Sequence, residues 1–384
     1  MIKGLDGAGA ASEAMRQMNL DVVAAYPITP QTEIVENYAK FVADGLVDGE
    51  MIRVESEHSA MSACIGASAS GARVMTATSS VGLAYMWELL PIASGLRLPI
   101  VMNIANRALS GPLNIHCDHS DSMGCRDSGW IQIYCEDAQE VYEFNLIAMR
   151  LSERVKLPVM VMQDGFITSH CMQNIYLLND NIVKRFVGEK KIENSLLDVD
   201  NPITIGPLQL FDYYFETRRQ LSDSIEKSKT EFLKICKELS KITKRKYGYF
   251  ESYKLNDADV AIIVLNSTAG TVKEVIDDLR KDGKKVGLLK LHLFRPFPYK
   301  EIGNVLKHLK NIAVLDRSES YGANAPLYSE IKNSLYDFKK SKVHSYIYGL
   351  GGREVHEENI KNIFNELLTD KIKNRYIGLR EKSD

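Results

Sequence analysis

Five short runs of mostly apolar residues punctuate the first part of the chain, and the gaps between them are long enough for helices. The runs are 21–28 (DVVAAYPI), 51–57 (MIRVESE), 72–79 (ARVMTATS), 98–105 (LPIVMNIA) and 157–164 (LPVMVMQD). A strand with one wet face alternates apolar and polar residues, whereas a near-continuous apolar run belongs to a strand covered on both faces. Helical segments are predicted at 31–43, 58–70 and 138–153. Strands that alternate with helix-length crossovers specify a parallel, doubly wound α/β sheet.

Beyond this region the pattern changes twice. Residues 179–207 show no sustained period and read as loops. A charge-dense helix follows over 217–246, with Leu221, Ile225, Phe232, Cys236 and Leu239 at helical spacing. Such a stripe is expected to pack on a domain rather than to bind a cofactor. A second alternation then begins, with strands at 259–265, 285–291, 311–316 and 343–348 and helices at 271–282 and 325–336. At 384 residues the chain is long for one core. The expected organisation is a first domain over 1–178, a connecting segment over 179–256 and a smaller α/β domain over 257–384.

Charge and motif content narrow the function. A net charge of -2 gives no basic footprint for nucleic acid. No apolar run approaches the roughly 18 residues needed to span a bilayer, and the opening MIKGLDG has no apolar signal core. A cytoplasmic protein without membrane partners is expected. The six cysteines form no C-x-x-C pair and no cluster spacing. Cys117, His119 and Cys125 fit no standard zinc spacing, so no metal is expected on this chain.

Ligands of open parallel sheets bind beyond the carboxyl ends of the strands. The residues that follow the first four runs are Thr29-Pro30, Glu57-His58, Ser79-Ser80 and Asn106-Arg107. Each alone reads as a helix cap or a surface charge. Together they bring hydroxyls, a carboxylate and a guanidinium to one rim. The glycines help less. Gly7-Ala8-Gly9 has the look of a dinucleotide loop, but no strand is predicted before it. Gly349-Leu350-Gly351-Gly352 follows a strand without a third glycine at the right offset and reads as a tight turn. No Walker A, H-E-x-x-H or G-x-S-x-G sequence is present.

Several separated motifs in order carry a resemblance. They are Tyr26-Pro-Ile-Thr29-Pro30, Val54-Glu-Ser-Glu57-His58, Ala105-Asn-Arg107-Ala-Leu-Ser-Gly-Pro112, Asp118-His-Ser-Asp-Ser-Met123, Arg126-Asp-Ser-Gly-Trp130 and Phe294-Arg-Pro-Phe-Pro298. The chain resembles the alpha subunit of pyruvate:ferredoxin oxidoreductases, within the 2-oxoacid:ferredoxin oxidoreductases. The resemblance implies a pyrimidine-binding-type thiamine-diphosphate domain followed by a transketolase C-terminal-like domain. It implies that Glu57 bonds the aminopyrimidine ring nitrogen and so promotes loss of the thiazolium C2 proton. By the same resemblance Arg107 grips the 2-oxoacid carboxylate, Thr29 contacts substrate and cofactor, and Ser80 lies near the cofactor.

Such sites hold Mg2+ and the diphosphate through a Gly-Asp-Gly sequence, which is missing here. The resemblance therefore implies that Mg2+ and [4Fe-4S] clusters sit on beta-, gamma- and delta-type partner subunits, with CoA as acyl acceptor and ferredoxin as electron acceptor. Pyruvate, 2-oxoisovalerate, 2-oxoglutarate and oxalate are the substrates open to it, and Arg107 with Leu109 and Pro112 resembles the pyruvate form most. A non-catalytic α/β scaffold or nucleotide-binding subunit is the reading from another class. It would have no need of a strand-end Glu57 facing Arg107.

Overall fold

The computed structural model describes residues 1–192, 194–338, 340–373 and 375–380. Its first part contains β1 (Ile2–Leu5), β2 (Val22–Ala25), β3 (Glu50–Arg53), β4 (Val74–Thr78), β5 (Ile100–Asn106), β6 (Ile131–Tyr134), β7 (Val159–Asp164) and β8 (Gln173–Tyr176). Six of these form a parallel sheet in the order β6-β7-β5-β4-β2-β3. The five apolar runs are β2, β3, β4, β5 and β7, and the last three are buried along their whole length. β6 escapes a hydropathy reading because Gln132 interrupts it. The amide NH2 of Gln132 donates to the Ser122 carbonyl at 2.9 Å, so the donor of a buried polar side chain is paired from outside the sheet.

β1 and β8 form a separate antiparallel pair. A strand therefore does precede Gly7, contrary to expectation, yet it lies outside the parallel sheet. The helix Gly7–Met18 begins at once, and a Cβ on Gly7 would fall 2.0 Å from Gln163 Oε1. Gly7 serves close packing and has no phosphate loop around it.

The long helix spans Tyr214–Thr243 and buries Leu221, Phe232, Cys236 and Leu239 against the helix Ala138–Val155. Phe232 stacks on Phe144 and Tyr249, with ring centroids 6.4 and 6.2 Å apart. The charge-dense face points outward, as the amphipathic pattern requires.

The second sheet contains β9 (Phe250–Tyr253), β10 (Val260–Val264) and β11 (Val286–Leu291). After β12 (Leu293–Arg295) come its remaining strands, β13 (Asn311–Asp316) and β14 (Lys342–Ile347). The order is β14-β13-β10-β11-β9, parallel except for the β9 edge. β12 leaves this sheet and pairs antiparallel with β6, which makes the first sheet seven-stranded. The two sheets thus do not divide at 257. β9 lies in the expected connecting segment, and β12 closes the first sheet from within the second region.

A buried ion cluster adds to this join. Lys290 Nζ lies 2.6 Å from Glu140 and 2.7 Å from Glu251, and it also pairs with Glu136. Burial alone would raise the Glu140 pKa, but Lys290 and His292 outweigh it and hold the carboxylate ionised. Among the described residues no helix is long and apolar enough to cross a membrane.

Candidate active site

The order β5-β4-β2-β3 places Arg107, Ser80, Thr29 and Glu57 side by side along one carboxyl edge. This rim is where a parallel sheet binds ligands.

Glu57 opens the helix Glu57–Ala69, whose N-cap Ser56 accepts the Ser59 N–H at 3.1 Å. The helix dipole favours an anion there. The residue is only 8% exposed, and its carboxylate makes no hydrogen bond or ion pair with the described residues. Opposite it stands Gly82. A Cβ at that position would lie 2.6 Å from Glu57 Oε1 and 2.5 Å from Thr78 Oγ1. The Thr78 hydroxyl is buried and also lacks a partner. A carboxyl and a hydroxyl therefore both approach Gly82 more closely than any residue with a Cβ would allow. Buried polar groups are normally paired, so this pair points to a polar ligand. Glu55, two residues earlier, is a surface group bonded to the Ser59 hydroxyl at 2.6 Å.

Arg107 is almost buried, and burial lowers its pKa against the opposing charge of Asp121. Its Nε donates to the Asn114 carbonyl at 3.0 Å and its Nη1 to the Thr29 carbonyl at 2.9 Å. Both Nη2 hydrogens and the second on Nη1 stay available, enough to bind a carboxylate end-on. Thr29 contributes its carbonyl to this anchoring, while its exposed hydroxyl makes no hydrogen bond to the described residues. Gln31 fixes the same loop by donating to the Ala77 carbonyl at 2.7 Å.

Ser80 is fully buried with φ +48°, a left-handed conformation costly for a non-glycine residue. Its hydroxyl donates to the Ala108 carbonyl at 2.5 Å, so it ties the end of β4 to the loop after β5. The node of this region is Asp121, quoted in the sequence motif without a role. Its Oδ2 accepts from the backbone N–H of Ser80 and of Arg107, each at 3.0 Å, and its Oδ1 accepts from Asn106 Nδ2 at 2.8 Å. Burial raises its pKa to about 6, against these hydrogen bonds. No spacing rule marks an acid that works by binding two distant backbone amides.

At the end of β7, Asp164 forms a second buried cluster. Its Oδ1 meets His119 Nε2 at 2.8 Å, Asn266 Nδ2 at 3.0 Å and Cys117 Sγ at 3.3 Å. Its Oδ2 meets Arg317 Nη1 at 3.0 Å and the Ser267 N–H at 3.2 Å. Cys117, His119 and Asp164 bring ligand atoms within 4.8 Å of one another. Arg317 already supplies the cation there and lies 3.7 Å from Cys117 Sγ, while burial pushes that thiol well up in pKa. The donor set suits an ion pair better than a metal.

Comparison with known proteins agrees with the fold. A model described as pyruvate flavodoxin/ferredoxin oxidoreductase, thiamine diphosphate-binding, matches residues 13–237. Another, for pyruvate:ferredoxin oxidoreductase core domain II, matches 258–360. The chain is 52% identical over 381 residues to pyruvate synthase subunit PorA of Thermotoga maritima, covering 98% of this chain and 97% of the relative. It is 48% identical to the PorA of Methanocaldococcus jannaschii, covering 99% and 98%. Identity to the ketoisovalerate oxidoreductase subunit VorA of Pyrococcus horikoshii is 42%, covering 95% and 93%. Among solved structures, the 2-oxoglutarate:ferredoxin oxidoreductase of Magnetococcus marinus superposes with TM-score 0.75 at 21% identity, over 96% of this chain and 65% of that one. A split-gene transketolase superposes with TM-score 0.57 at 10% identity, over 96% and 100%. At those identities the likeness is one of fold.

Proposed function

We propose, from the fact that this chain belongs to the pyruvate:ferredoxin oxidoreductase family as its alpha-type subunit, that it works on pyruvate. The enzyme class is a CoA-acylating, thiamine-diphosphate-dependent 2-oxoacid:ferredoxin oxidoreductase, active as a multi-subunit complex. The observation that carries the site reading is the unpartnered carboxylate of Glu57 across Gly82 from the unpartnered Thr78 hydroxyl. Those residues fit the polar face of an aminopyrimidine.

In this reading Glu57 holds a proton against the pyrimidine ring nitrogen, at the start of a helix that tolerates its charge when the proton leaves. When bound, thiamine diphosphate supplies the carbon nucleophile and the electron sink of decarboxylation. Arg107, fixed by two backbone carbonyls, turns its free edge to the substrate carboxylate. The Thr29 hydroxyl lies on the same loop, ready to bond the 2-oxo group. Ser80 acts on the cofactor side by holding β4 against β5. Arg107 is the one cation among the four rim residues, which suits a monocarboxylate such as pyruvate; a dicarboxylate calls for a second cation.

Residues 1–178, closed at the edge by β12, are the thiamine-diphosphate unit in this proposal. Mg2+ and the [4Fe-4S] clusters belong to beta-, gamma- and delta-type partners, and electrons pass to ferredoxin. The six cysteines are all free thiols, five of them buried, which suits a reducing cytoplasm.

The test uses the reconstituted complex. Glu57→Ala is expected to lower pyruvate-dependent ferredoxin reduction by about 10²–10⁴-fold with unchanged subunit composition on gel filtration. Near-normal turnover would sink the site reading. A kcat/KM higher for 2-oxoisovalerate than for pyruvate would replace the substrate, as the VorA relatives would then indicate.

A further inference from the structure

The glycine turn at 349–352 touches the loop that follows β5. Gly349, Gly351 and Gly352 all have positive φ, at 62°, 57° and 82°. The turn follows β14 of the second sheet but packs on residues 114–118 of the first region. Gly352 N–H donates to the Cys117 carbonyl at 2.8 Å, and Gly351 N–H reaches Asp118 Oδ2 at 3.3 Å. A Cβ on Gly351 would lie 2.5 Å from Asn114 Nδ2, and one on Gly352 would lie 2.4 Å from His116 Cβ. Side chains are excluded there by contact as well as by φ.

Asn114 connects this turn to the rim. Its Nδ2 donates to the Gly351 carbonyl at 3.1 Å, and its Oδ1 accepts the His116 N–H at 2.6 Å. Its own carbonyl accepts Nε of Arg107 at 3.0 Å. The stretch around it is exposed, with Leu113 at 76%, and is otherwise held at its base. There the Ala108 N–H meets the His116 carbonyl at 3.0 Å and the Leu109 N–H meets Ser120 Oγ at 2.9 Å. An exposed loop with few contacts samples many conformations unless something pins its tip.

We propose that the glycine turn of the second sheet positions the guanidinium of Arg107, with Asn114 as the link, and so sets the affinity for the 2-oxoacid. Asn114 and Gly351 are positioning residues in this scheme, since neither touches substrate. The proposal rests on the reading of Arg107 as the carboxylate clamp.

The test is a mutant cycle in the reconstituted complex, with pyruvate and CoA varied separately. Asn114→Ala removes the link and keeps the carbonyl that Arg107 uses. It should raise KM for pyruvate about 5- to 10-fold, with a much smaller change in kcat and in KM for CoA. Gly351→Ala should move the same parameter in the same direction. With Arg107→Ala already present, adding Asn114→Ala should change KM by less than about 1.5-fold, because linked residues do not add.

The wild-type KM in Asn114→Ala overturns the proposal, and so does an undiminished effect in the Arg107→Ala background. Equal loss of kcat and of both KM values shows a merely structural role and overturns it too. Should Gly351→Ala fail to assemble, Asn114→Ala decides alone. If Arg107→Ala itself leaves KM for pyruvate unaltered, the clamp reading falls first, and the two failures stay distinguishable.

Discussion

Glu57 and Asp164 are both buried carboxylates at the carboxyl ends of the same sheet, yet their surroundings are opposite. Asp164 collects His119, Asn266, Arg317, Ser267 and the Cys117 thiol, and it joins the two halves of the chain. Glu57 packs closely on Gly82 beside Thr78 and makes no hydrogen bond or ion pair with the described residues. Burying an anion without partners costs stability, and such groups are enriched where a ligand later satisfies them. On the proposed reading, saturation goes with the structural acid and the missing partner with the catalytic one. Burial by itself distinguishes nothing here.

The comparison can be broken by experiment. The largest effect is expected for Asp164→Ala, which leaves Arg317 buried without its anion and should cost about 3–5 kcal/mol. Thermal denaturation of the purified complex would read it. Burial alone would raise the Asp164 pKa, but Arg317, His119 and the hydrogen bonds hold it far below the carboxylate range. Its folded value is thus depressed, so its contribution is complete above the unfolded value of about 3.9 and fades only as pH falls below it. The Asp164→Ala penalty should accordingly be flat from about pH 8 to pH 5 and shrink in stronger acid. A penalty that shrinks on the alkaline side would contradict this assignment.

Next comes Gly82→Ala. A methyl pressed between Glu57 and Thr78 should cost about 1–3 kcal/mol and weaken cofactor retention together with turnover. Isothermal titration of the complex with thiamine diphosphate would measure the second part, and full retention would show that this space is not the pyrimidine slot. The smallest change in stability is expected for Glu57→Gln, within about 1 kcal/mol of wild type or slightly stabilising, although turnover collapses. Destabilisation on the scale of Asp164→Ala would erase the contrast between the two acids.

Much of the first sheet was legible because strands buried on both faces must be apolar along their length. The rim residues followed, since chain order alone dictates what stands after each strand. β6 was not legible, because the polar Gln132 breaks its apolar run and its amide NH2 is paired by a carbonyl brought in from Ser122. β12 was missed as well. A three-residue strand has no period to read, and its partner β6 is remote in sequence. The glycine turn was recognisable as a turn, while its contact with Asn114 was not. The long helix showed its buried stripe correctly, because periodicity reports a face whatever that face meets.

The site divides along the same line. Local sequence determined that a carboxylate, three hydroxyl residues and a guanidinium would stand at strand ends, and its ordered motifs identified the family. The tertiary structure decided that Glu57 has no hydrogen-bond partner among the described residues and that it packs on Gly82 beside Thr78. It also decided that Ser80 bonds a neighbouring loop, and that Asp121 and Asn114 fix Arg107. The physical reason is range. Hydrophobic periodicity and capping act within a few residues, whereas hydrogen-bond saturation depends on which distant segments the sheet order makes neighbours.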